Sequence, residues 1–196
     1  YLADGHHRIA SSLRLAEKYP DAHSKQHVLA YAVPASQLAI RPYHRVLRHP
    51  GWDVARWEEA FDTVSNYLSW QRIEADAPAP SSVGRVHVHT AEQSWTLAWN
   101  EDLQTAGAVD AELLQEHLFQ RIFGISDARN DPRLKYAPGT RDSAGLKAEY
   151  AGQPGQALFE LHSVTPEQLM HTADRGGFLP PKSTWIEPKL RSGLFI

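Results

Sequence analysis

Two periodicities divide the chain into elements. Ile9, Ala10, Leu13 and Ala16 recur at helical spacing, so residues 6–18 are expected to form an amphipathic helix, capped by Asp4 and stopped by Pro20. Trp57, Phe61, Val64 and Leu68 repeat the pattern and predict a second helix across 52–70. From 83 to 90 the chain alternates instead. Val86 and Val88 share one face and Arg85, His87 and His89 the other. Residues 94–99 alternate too, grouping Trp95, Leu97 and Trp99, and the short 91–93 connection makes the two segments an antiparallel hairpin. Trp52, Trp57, Trp95 and Trp99 read as core or interface residues rather than a stacking platform.

The remaining segments are read from local signals. Residues 1–3 resemble the end of a strand that turns at Asp4-Gly5 into the first helix, 27–33 (HVLAYAV) a buried strand, and 38–41 a short extended piece before Pro42. Residues 76–82 are a loop by composition and a candidate sub-boundary. Asp110 is expected to cap a helix through Leu114, Leu118 and Ile122, closed by Gly124. Residues 126–145 look irregular, 146–151 form a short helix and 157–162 a strand. Thr165-Pro166-Glu167-Gln168 is a capping box with Val164 and Leu169 as its staple, and that helix stops at Gly176-Gly177. The apolar end, Leu194 to Ile196, is expected to dock as a strand. Strands and helices mixed in this way, with at least one hairpin, predict an α+β fold: a mixed sheet with helices packed on it. A first strand without a partner upstream, and a single methionine at Met170, imply that residues 1–196 are the C-terminal portion of a longer protein whose N-terminal portion supplies more of the sheet.

Composition narrows the chemistry. The chain has no cysteine, which excludes thiol catalysis, thiolate zinc sites and disulfides. Its formal net charge of −3 argues against a nucleic-acid partner. No apolar run is long enough to cross a bilayer and no secretory signal stands at the start, so the expected compartment is the cytoplasm, with no membrane partner. Eleven histidines are the one oddity.

The leading candidate site is Asp4-Gly5-His6-His7-Arg8. Gly5 permits a tight turn and close backbone approach, and the following helix offers unpaired N–H groups at the positive end of its dipole. His6, His7 and Arg8 add donors there, and an arginine fork can grip phosphate oxygens in bidentate fashion. The plain alternative is a polar turn that merely opens a helix. Lys182, Ser183 and Thr184, with Lys189, form a second cluster on a proline-stiffened segment; without preceding glycines it is no P-loop, and a solvated strap is the plain reading. His44 and Arg45 form a third, equally readable as a charged turn. His87 and His89 have the spacing of a metal pair, but further ligands must come from elsewhere and solvent-facing histidines are commoner on hairpins, so no metal is assigned.

The segments YLADGHHRIASSLR, RPYHRVL, DPRLKYAPG, TPEQLMHTADRGGFLPPKST and LPPKSTWIEPKLRSGLFI together resemble one bacterial and archaeal family, domain of unknown function ten-fifteen. The ADGHHR segment is also similar to the phosphate-gripping turn of the ParB/sulfiredoxin-like superfamily, which includes a free-serine kinase. That resemblance implies a strand–turn–helix in which Gly5, His6, His7 and Arg8 hold nucleotide phosphates and Asp4 orients the turn. It implies ATP or ADP as cofactor, with Mg²⁺, and His6 or His7 as candidate catalytic groups. His6 stands where sulfiredoxin has its cysteine, so thiol chemistry is not carried over. His44, Arg45, Lys182, Ser183, Thr184 and Lys189 become supporting residues, expected to converge near Arg8. The function expected first is a nucleotide-dependent phosphotransferase acting on a small hydroxylated molecule. A non-catalytic nucleotide or anion sensor is the alternative, and a metal-dependent hydrolase using the histidines is a third.

Overall fold

The computed structural model describes residues 1–49, 51–105 and 107–189. The chain forms two compact units: Tyr1–Ala39 with Ile186–Ile196, and Ile40–Trp185.

The second unit is built on an open antiparallel sheet. Its strands are β1 (Ala39–Arg48), β2 (Leu68–Ile73), β3 (Arg85–His89), β4 (Ser94–Trp99), β5 (Leu134–Pro138) and β6 (Gln156–Leu161), in the order β2-β4-β3-β6-β1-β5. A seventh strand, β7 (Thr184–Glu187), pairs with β1. Alternation assigns the two faces. Val86, Val88, Trp95, Leu97, Trp99, Phe159 and Leu47 belong to the main core together with Trp57 and Phe61 of the helix Val54–Thr63 and Leu114 and Leu118 of the helical segment 110–123. Trp57 is the hub, with ring centroids 5.1 Å from Trp52, 6.2 Å from Trp95 and 6.1 Å from Phe159. The opposite face buries Val46, Ala137 and Leu158 against Leu146 and Ala151 of the helical segment 143–151. Buried side chains of this size each stabilise the fold by about 1.5–3 kcal/mol relative to exposure.

Local signals translate faithfully. The hairpin forms with Val86 opposite Leu97 and His89 opposite Ser94. The Thr165 capping box is complete, with both reciprocal bonds to Gln168. Gly124 closes 110–123 at φ 64°, the left-handed conformation that a Cβ penalises.

Several expectations are corrected. The helix predicted over 52–70 ends at Thr63: Tyr67 N–H donates to Val64 O at 2.9 Å in a reversal, and Leu68 onward pairs with β4. Leu68 satisfies both periods, so spacing alone misleads. β1 runs through Pro42 rather than stopping before it. Proline lacks an N–H to donate, but its carbonyl still accepts from Gly139 N–H at 2.8 Å. Residues 134–138, read as irregular, pair with β1 as β5. In the first unit, neither 1–3 nor 27–33 forms a strand; Leu29 is 81% and Tyr31 61% exposed, because an apolar run needs a ladder partner to become a strand. The docked apolar end, 194–196, lies outside the described residues. The loop 76–82 lies within the second unit, where Lys147 Nζ donates to Ala77 O at 2.5 Å.

Asp110 is not the helix cap; Val109 holds that position. The Asp110 carboxylate is buried and accepts from Gly84 N–H at 2.9 Å. Burial pushes its pKa up to about 7, and the Gly84 bond only partly opposes this. An acid that binds its proton more tightly when folded adds stability below its unfolded value near 4, and that stability is lost as pH rises towards about 7. Asp110→Asn keeps an acceptor for Gly84. It is expected to raise stability at pH 8 by on the order of 3 kcal/mol and to flatten the fall between pH 4 and about 7, read by denaturant melts across pH.

Candidate functional site

In the first unit the turn and helix take the expected form. The helix is His6–Lys18, and Gly5 is its N-cap at φ 90°, ψ 22°, with no side chain capping the first turn. The backbone ladder opens with Ile9 N–H on Gly5 O at 3.1 Å, so the N–H groups of His6, His7 and Arg8 precede it. No acidic residue occupies that first turn. Asp4 is not the cap. Its carboxylate accepts from Gly5 N–H at 2.8 Å and from the Lys189 ammonium at 3.0 Å. Burial raises its pKa, but Lys189 and the Gly5 bond outweigh that and hold the carboxyl below its usual value. Arg8 folds back over the turn: a Cβ on Gly5 would sit 3.0 Å from Arg8 Nη2. His6, His7 and Arg8 are exposed. A guanidinium and a helix N-terminus thus meet at a single glycine.

In the second unit the strap carrying Lys182, Ser183 and Thr184 is held by Arg45. The buried guanidinium donates through Nη1 to Tyr43 O at 2.7 Å and to Lys182 O at 2.9 Å, with its Cζ 4.6 Å from the Tyr136 ring centre. Burial lowers its pKa to about 10, so it remains charged at neutrality. Lys182 has φ 57°, uncommon for a residue with a Cβ, and its ammonium lies 5.3 Å from the Tyr43 ring centre. Ser183 is buried and its hydroxyl donates to Pro180 O at 2.6 Å; Thr184 is half-buried at the start of β7. A shallow cleft here is lined by Tyr43, Asp110, His162, Ser163, Gln168 and Ser183.

His44 and Arg45 are neighbours on a strand and therefore point to opposite faces, which the linear motif conceals. His44 is buried, and its Nδ1 accepts from Leu161 N–H at 3.1 Å. Burial drives its pKa down to about 4, so the ring is neutral. His87 and His89 are likewise not the solvent-facing pair that their hairpin suggests. His89 is 1% exposed and His87 half-buried, and Glu160 from β6 lies against them. Burial, with His89 next, lowers His87 to about 4. Burial raises the Glu160 pKa, but hydrogen bonds from His89 and Ser143 more than offset it and leave it lowered. Glu160 escapes a reading by motif, although a lone carboxylate inside the apolar run ALFEL is itself a signal.

An open antiparallel sheet with helices on both faces, and a separate glycine turn feeding an uncapped helix, define an α+β protein. The chain belongs to the family described as Protein of unknown function (DUF1015), whose profile matches residues 1–119. No curated protein matches it. Among solved structures, it is similar to a free serine kinase in complex with AMP, at 13% identity and a TM-score of 0.50, covering 94% of this chain and 66% of that one. The same kinase with ADP matches at 13% identity and 0.49, with the same coverage. A conserved hypothetical protein from Pyrococcus furiosus matches at 15% identity and 0.48, covering 94% and 68%. The chain thus spans just under two thirds of the kinase's length. At this identity the likeness is one of fold. Among the described residues no helix is long and apolar enough to cross a membrane.

Proposed function

We propose that the turn Asp4–Arg8 binds the phosphates of a nucleotide, and that the intact protein is a kinase-like phosphotransferase for a small hydroxylated molecule. One observation carries this reading: a left-handed Gly5 presents a helix N-terminus that no side chain caps, with Arg8 folded over it. Such an end attracts anions, and transfer of a phosphoryl group depends mainly on position and charge neutralisation. The ParB/sulfiredoxin-like element enters this reading as turn and helix only. Arg8 grips phosphate oxygens, the N–H groups of His6 and His7 complete the cradle, and their imidazoles are the candidates to pass a proton. Asp4 orients the turn through Gly5 and is itself steadied by Lys189. Arg45 is a positioning residue that holds Lys182, Ser183 and Thr184 in place, with His44 packed on the other face of β1. ATP or ADP, with Mg²⁺, is the proposed cofactor pair; the AMP bound to the similar kinase supports a nucleotide ligand.

Calorimetry on the full-length protein with ATP, ADP and CTP tests the reading. Binding of one of them, lost in Arg8→Ala, is expected; failure to bind any of the three removes it. Turnover with Mg²⁺ and a panel of small alcohols and amino acids then separates a kinase from a sensor, since binding without product favours the latter.

A further inference from the structure

We infer that His87, His89 and Glu160 form a buried site for a zinc-class divalent ion, tying β3 to β6 on the sheet face away from the main core. The register brings the three together: His87 lies directly opposite Glu160 across β3 and β6, and His89 follows two residues on along the same face. One ligand atom from each lies within 4.8 Å of the others. The His89 Nε2 to Glu160 Oε2 distance is 3.3 Å. Bonds of ~2.0 Å at tetrahedral angles place two ligand atoms ~3.3 Å apart, so this pair already has the separation of a zinc edge. His87 needs only to move inwards.

The surroundings fit a site rather than a chance cluster. Among the described residues, buried His87 Nδ1 has no hydrogen-bond partner, and neither does Thr96 Oγ1 on the strand position opposite it. Orphaned buried polar atoms are costly unless something fills the space between them. The outer groups are also in place. Ser94 Oγ lies 2.8 Å from His89 Nδ1, which leaves Nε2 to face the ion, and Ser143 donates to Glu160 Oε2 at 3.0 Å. His44 is not a ligand through Nδ1, because that atom already accepts from Leu161 N–H. Two imidazoles and a carboxylate select zinc over magnesium or calcium, which prefer all-oxygen shells. His89 and Glu160 are each 1% exposed, while half-buried His87 leaves a fourth position for water, and the ion's role is to lock β3 to β6 and, through Ser143, the segment 143–151.

The test uses untagged full-length protein, stripped with chelator and titrated with Co²⁺, then Zn²⁺. One equivalent of Co²⁺ giving intense visible bands of tetrahedral type, displaced by Zn²⁺ and raising Tm, is expected. His87→Gln leaves no partner of Nδ1 among the described residues unsatisfied and so should fold; it is expected to weaken Co²⁺ binding by ~100-fold or more, and Ser94→Ala by roughly tenfold. His171→Gln, on the exposed side of the helix Pro166–Asp174 and not among the three clustered ligands, is expected to leave Co²⁺ binding unchanged. Absence of stoichiometric binding, or binding unaltered in folded His87→Gln, overturns the inference. Nucleotide calorimetry reads the first turn independently, so failure of either result leaves the other standing.

Discussion

Gly5→Ala is expected to lower nucleotide affinity at least about tenfold, with Tm changing by only a few degrees. The turn sits at φ 90°, where an L side chain is strained, and the new Cβ would meet Arg8 Nη2 at 3.0 Å. Relieving that contact requires Arg8 to swing away from the turn or the helix to begin one residue later. Either change removes charge-assisted bonds worth about 1.5–3 kcal/mol each. Stability is little affected because no residue of 1–39 is buried. Arg8→Ala removes the guanidinium but leaves the turn, and is expected to weaken binding by a similar factor without altering the helix. Calorimetry with the nucleotide that binds the wild type decides both. If Gly5→Ala binds within threefold of wild type, the turn is not the cradle.

Arg45→Ala is expected to destabilise the second unit by about 2–4 kcal/mol and to loosen the strap around Lys182. Its guanidinium joins Tyr43 O to Lys182 O and lies over the Tyr136 ring, and its removal leaves two half-buried carbonyls without that donor. Lys182, held at φ 57°, has reason to relax once released. Arg45→Lys should recover only part of the loss, because a point charge cannot reproduce the planar stack. Denaturant melts report the stability, and hydrogen exchange across 180–185 reports the strap. Unchanged protection of that segment in Arg45→Ala would show that something else holds it.

These two sites differ in how visible they are beforehand. The Asp-Gly-His-His-Arg turn is contiguous, so residue type and spacing announce its conformation, a glycine turn into the helix from His6. The His44-Arg45 pair is contiguous as well, yet reads wrongly as one patch, since a strand sends neighbours to opposite faces. The histidine–carboxylate cluster is half legible. His87 and His89 share a face by alternation, but Glu160 lies 71 residues from His89 and joins them only through register. Asp110 shows the same limit: a good capping residue by type, it is buried against Gly84 instead.

Local order followed from the chain itself: the helix from His6, the hairpin at 91–93, the capping box at Thr165 and the glycine stop at 124 all depend on residues within a few positions of one another. What tertiary structure decided was pairing. It ended the Trp57 helix at Thr63 and turned Leu68 into a strand. It carried β1 past Pro42, gave 134–138 a partner, and left 27–33 without one. A helix satisfies its backbone internally, whereas a strand must find its donors and acceptors on a distant segment, and no reading of neighbours along one chain can supply that segment.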